Sequence, residues 1–149
     1  MTNLWPEDIA HVAQRAPVVL LREQAFYLGE RTKNMVKAEV EEFRRPDLGS
    51  HADFNYTFYI VATALQNYRF ELFAISHGIE LYPVFFKLDW DVSKELTGTP
   101  PAERVPAENE DEFVQLLAKI FATKKTRKVI AAILGQSEGY NPNPEEIPF

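Results

Sequence analysis

Residues 54–88, FNYTFYIVATALQNYRFELFAISHGIELYPVFFKL, constrain the fold more than any other stretch. They are dense in aromatic and β-branched side chains, which suit a pleated, half-buried surface. Gln66-Asn67 and His77-Gly78 supply residues that make tight turns. The segment therefore predicts three consecutive antiparallel strands. With residues 65 and 68 as neighbours, Ile60 would lie opposite Phe73, and Phe58 opposite Ile75. Phe54, Phe58, Val61, Ala62 and Leu65 also fit a helical spacing, so a helix over the first strand is the competing assignment.

The last of these strands poses a packing question. Alternation sends Tyr82, Val84, Phe86 and Leu88 to one face and Pro83, Phe85 and Lys87 to the other. In the strand before it, Arg69, Glu71, Phe73 and Ile75 share a face, opposite Tyr68, Phe70, Leu72 and Ala74. Both sides of the sheet thus carry large apolar groups. Each one left in water forfeits about 1.5–3 kcal/mol. Three covers are open: the N-terminal helices, a second copy of the chain, or a small apolar ligand anchored by Tyr59 or Tyr82.

The flanking sequence predicts the rest of an α+β domain. PEDIAHVAQR (6–15) reads as a first helix, with Pro6 at its first position and Glu7 and Asp8 complementing the dipole. PVVLLREQAFYLGE reads as a second, with Val18, Leu21, Ala25 and Leu28 on one side, ending at Gly29 or Asn34. In NMVKAEVEEF, Val36, Ala38 and Val40 alternate with charge, as in a strand with one wet face. Residues 44–53 form a turn-rich loop, and 89–108, with three prolines, a long connection with room for a short helical turn. Asn109 followed by Glu112 is a capping signal for a helix carrying Phe113, Leu116, Leu117, Ile120 and Phe121. Thr126 is placed to cap a further short helix, with Val129, Ile130, Ile133 and Leu134, that stops at Gly135. The expected architecture is an antiparallel four-stranded meander with N- and C-terminal helices packed on it. It forms a single domain over 1–135, with an extended or disordered tail over 136–149.

Composition narrows the chemistry. Cysteine is absent, which removes disulfides, thiolate nucleophiles and cysteine-ligated zinc. With 16 Lys+Arg against 22 Asp+Glu, the net charge of −6 disfavours nucleic acid and anionic lipid unless cations cluster. No membrane-length apolar run and no leader-like N-terminus are seen, so a cytoplasmic protein is expected.

No catalytic constellation assembles. His11, His51 and His77 are the three histidines. Asp47, His51 and Asp53 share the 44–53 loop but lack fixed ligand spacing, so a polar loop is the expectation and no metal is assigned. Ser50, Ser76, Ser93 and Ser137 have no G-x-S-x-G setting. Ser76 and His77 are adjacent, so on a strand they point apart. RPDLG invites comparison with nucleases that pair it with an acid-x-Lys motif, but no lysine has an acid two residues before it. The six glycines form no phosphate-binding loop. Glu39, Glu41, Glu42 and Glu71 read as the wet side of a sheet.

KKTRK is the one dense basic cluster. Lys124, Lys125, Arg127 and Lys128 suit phosphates, or the dipole at a helix end. No family signature is found and no cofactor is implied. The expectation is a non-enzymatic interaction or regulatory domain that self-associates as a homodimer through apolar sheet surface. Phe73, Ile75, Tyr82, Val84, Phe86 and Trp90 are the candidate interface or pocket residues. The alternatives are a ligand-binding or catalytic domain with a sheet-lined pocket, and nucleic-acid binding through 124–128.

Overall fold

A computed structural model describes residues 1–43 and 54–138. It is α+β, with one antiparallel sheet of five strands in sequential order. The strands are β1 (Val36–Phe43), β2 (Phe54–Ala62), β3 (Tyr68–His77), β4 (Val84–Leu88) and β5 (Val105–Ala107). The helices are α1 (Pro17–Arg31), α2 (Trp90–Thr97), α3 (Glu110–Phe121) and α4 (Lys124–Glu138).

The meander over 54–88 is present, one strand wider than expected. The 89–108 connection holds both α2 and β5, and β5 pairs with β4 through Val84–Ala107 and Phe86–Val105. Three residues containing a proline give little periodic signal, and β5 is an edge strand, where proline is tolerated.

The register differs from the expected one, and the difference settles the packing question. The β2–β3 connection runs through a short 3₁₀ turn, Thr63–Leu65, then Gln66 and Asn67 with φ of 58° each. Phe70 therefore pairs with Ile60, and Phe73 with Phe58. Between those pairs Tyr59 meets Glu71, so Leu72 is an extra residue in β3, a bulge. The bulge advances the alternation by one. Phe73 and Ile75 leave the face of Arg69 and Glu71 and join the face of Phe58, Ile60 and Phe86.

That face is the core. Leu20 and Leu21 of α1, Val92 of α2, Phe113, Leu117 and Ile120 of α3 and Ile133 of α4 share one buried cluster with it. Phe58 and Phe73 stack at 5.0 Å, and Phe86 lies 5.3 Å from Phe113. The opposite face is polar. Arg69 bonds Glu41, lies 3.6 Å from Glu39 and covers the Tyr59 ring at 3.8 Å. Arg104 covers Phe85 at 4.4 Å. Cations resting on aromatic faces shield apolar area while staying wet.

Several helix boundaries moved. Within 6–15 only residues 7–10 form turns, with Ile9 N–H donating to the Pro6 carbonyl and His11 N–H to the Asp8 carbonyl, and the rest is irregular. Ile9 and Val12 are exposed, so nothing pays the nucleation cost of so short a helix. Asn109 caps α3 as expected, accepting from Glu112 N–H at 2.9 Å. The Glu112 carboxylate returns to Glu108 N–H instead of to Asn109's own. Thr123, not Thr126, caps α4, accepting from Thr126 N–H at 3.3 Å. The helix passes Gly135 and takes in residues 136–138; residues 139–149 lie outside the described residues.

Candidate interaction surface

α1 begins with Pro17, whose fixed φ suits the first helical position and whose missing N–H costs nothing there. Its buried side carries Leu20 and Leu21, with Val18, Ala25 and Leu28 packed beside them. At 100° per residue, the side turned away from the sheet carries Val19 and Phe26. They are 44% and 64% exposed. Arg22 and Glu30 flank them in water, and Glu23 is bonded to Arg15.

The N-terminal segment carries further exposed apolar residues. Eight of the twelve large apolar side chains exposed among the described residues fall within residues 1–27, Leu4, Trp5, Ile9 and Val12 among them. Isolated exposed apolar residues are ordinary, but a concentration of this kind marks an interaction region.

Beside α1 lies a cleft of about 830 Å³. Gln24, Tyr27, Leu28, Glu30 and Arg31 form one wall, Phe121, Thr126 and Ile130 the other, and Phe58, Ile60 and Leu72 the floor. Phe58 and Ile60 are only 2% and 1% exposed, so the cleft is narrow at its base.

The interface candidates from the sequence are dispersed. Phe73, Ile75, Val84 and Phe86 are at most 1% exposed, packed inside the chain. Tyr82 is half-buried, and its hydroxyl donates to the Arg15 carbonyl at 3.0 Å. Burial pushes that phenol up to about 12, Glu110 adding to the effect and Arg15 opposing it. Trp90 alone is largely exposed, at the start of α2.

In the basic cluster, Lys125 Nζ donates to Asp91 at 2.9 Å. Arg127 Nε donates to the Ala122 carbonyl at 3.2 Å. Lys124 and Lys128 are exposed. The Lys125 hydrogen bond holds the Asp91 carboxyl below its usual range. Two of the four cations are thus engaged within the chain.

The remaining chemical candidates do not converge. His77 ends β3, buried, with Nδ1 2.7 Å from the Gly78 carbonyl and its ring against Phe54 and Tyr56. His11 is exposed. Ser93 donates to the Ala102 carbonyl at 2.8 Å. Glu39 and Glu41 are bound to Arg69, and Glu42 and Glu71 face water. Among the described residues no group of three acidic or histidine side chains is placed to hold a metal. Asp47, His51 and Asp53 lie outside the described residues. No helix among the described residues is long and apolar enough to cross a membrane.

In the sequence the outer pair Val19 and Phe26 is masked by the stronger buried stripe of Val18, Leu21, Ala25 and Leu28 on the same helix. Comparison with protein-family models, with curated proteins and with solved structures found no match.

Proposed function

We propose that the chain is a small non-enzymatic interaction domain that self-associates, and that its N-terminal segment and α1, rather than the sheet, supply the docking surface. The concentration of exposed apolar side chains within residues 1–27 carries this reading. Burying the exposed parts of Val19 and Phe26 against a second copy would recover roughly half of the 1.5–3 kcal/mol that full burial of each side chain gives. The absence of cysteine supports a cytoplasmic setting.

Sedimentation velocity over a concentration series tests the reading. The expected result is a dimer that Phe26→Asp dissociates without changing the far-ultraviolet circular dichroism. A wild-type chain that stays monomeric across the series overturns it.

The cleft between α1 and α4 supports a second reading, a small-ligand site. Its volume is in the range of small-molecule pockets, and its lining is mainly apolar. A thermal-shift screen of small apolar acids and amides tests this, with a concentration-dependent rise in Tm expected. The rise should be lost in Ile130→Trp, which narrows the cleft.

A further inference from the structure

We infer that the partner is a second copy whose α1 lies parallel to the first, side by side, with Val19 and Phe26 each meeting its own counterpart. This rests on the self-association reading and adds the geometry of the pair.

Two pairs of residues on the outer side of α1 are spaced by seven. Val19 and Phe26 lie along the centre and Glu23 and Glu30 along one flank, with Arg22 on the other. Arg15 sits just before the N-cap, Ala16, and its side chain reaches Glu23. A seven-residue repeat keeps a stripe facing a neighbouring helix. The surface has the matching relief. A shallow hollow of about 330 Å³ is lined by Val19, Arg22, Glu23, Phe26 and Tyr27. The first four are i, i+3, i+4 and i+7, and with Val19 and Phe26 in register the side chains of a parallel partner level with this hollow are Arg22 and Glu23.

Charge decides the direction. A two-fold axis running along the helices turns the cationic flank of one copy toward the acidic flank of the other. Arg22 of one protomer then meets Glu23 of its partner, twice, at nearly equal height. A two-fold axis across the helices sets Arg against Arg and Glu against Glu, which repels. Glu23 already binds Arg15 of its own chain, and a carboxylate has room to accept a second cation.

Two helical turns of seam are small beside the roughly 1,200–2,000 Å² of a stable interface. The additional area is assigned, as part of the same inference, to the exposed segment bearing Leu4, Trp5, Ile9 and Val12, which leads into α1.

Single cysteines test the pairing in a chain that has none of its own. Facing Cα atoms in a parallel pair come within disulfide reach, about 5–6 Å. Val19→Cys and Phe26→Cys should each cross-link to their own kind on mild oxidation. In an antiparallel pair the two positions cannot both do so. If one sat on the axis, the other would be separated by about 20 Å along the helices. Arg22→Glu and Glu23→Arg should each weaken the dimer about ten-fold or more, and the double swap should restore it.

A dimer in which just one position self-links, or in which cross-links need Val19→Cys and Phe26→Cys chains mixed, overturns the parallel pairing and leaves self-association standing. Failure of the double swap to recover affinity also overturns it. A wild-type monomer overturns both.

Discussion

The hydroxyls of Thr123 and Thr126 lie 2.9 Å apart at the corner between α3 and α4, and both donate to the Ile120 carbonyl at 2.8 Å. Both residues are 1% exposed. The corner satisfies the last carbonyls of one helix with the side chains that start the next. Thr123→Val removes a cap and a buried hydrogen bond together, and should cost about 1–3 kcal/mol. Thr126→Val, which keeps the cap, should cost about 1 kcal/mol. Urea unfolding of the two variants checks the order.

Phe73 and Phe86 should behave as core residues. Phe73→Ala and Phe86→Ala should each destabilise by about 3–5 kcal/mol. In denaturant titrations the loss should be independent of protein concentration, unlike that of Phe26→Asp. A variant that dissociated a dimer without lowering the stability of the monomer would place Phe73 at an interface instead.

Tyr82 should make the fold alkali-sensitive. Its folded pKa, near 12, lies above the ordinary value of 10.0. The neutral phenol is therefore favoured by folding. That contribution is complete below pH 10 and is lost as pH rises toward 12. Wild-type stability should fall over this window, and Tyr82→Phe should flatten part of the fall. The same variant should cost about 1 kcal/mol at neutral pH through the lost bond to Arg15. Chemical denaturation at stepped pH, with absorbance titration of tyrosinate, checks both.

Asp89 should matter more than its place in a loop suggests. Its carboxylate accepts from Asp91 N–H at 3.0 Å and Val92 N–H at 3.3 Å, capping α2. Its own N–H donates to the Leu72 carbonyl at 3.1 Å. Asp89→Ala should cost about 1 kcal/mol, whereas Asp89→Asn should cost less because the amide oxygen still caps. Thermal melts should show a loss of roughly 2–4 °C per kcal/mol for a chain of this size.

Patterns with strong period were legible. β1 showed its wet face through Lys37, Glu39 and Glu41, and α3 showed both its cap at Asn109 and its stripe. What stayed hidden depends on partners distant in the chain. β5 is held by its pairing to β4, a property absent from Val105–Ala107 taken alone. The Leu72 bulge is invisible in a run where Phe70, Leu72, Phe73 and Ile75 are all apolar. The 6–15 segment had helical chemistry but no neighbour to bury Ile9 and Val12. The same extra residue, Leu72, turns Phe73 and Ile75 inward, while the burial of Val84 and Phe86 follows from the helices packed on their face of the sheet.

Leu72 acts as a phase change in the strand. Upstream of it, odd-numbered residues of β3 look toward water; downstream, the odd-numbered Phe73 and Ile75 look inward. Removing one residue at that point, or adding one before Phe73, would invert the downstream half and turn Phe73 and Ile75 outward. Substitutions at Leu72 that keep its bulk should be tolerated far better than any change in the spacing. In a lineage of such chains, length between Phe70 and Phe73 should therefore be guarded more strictly than the identity of the residues filling it.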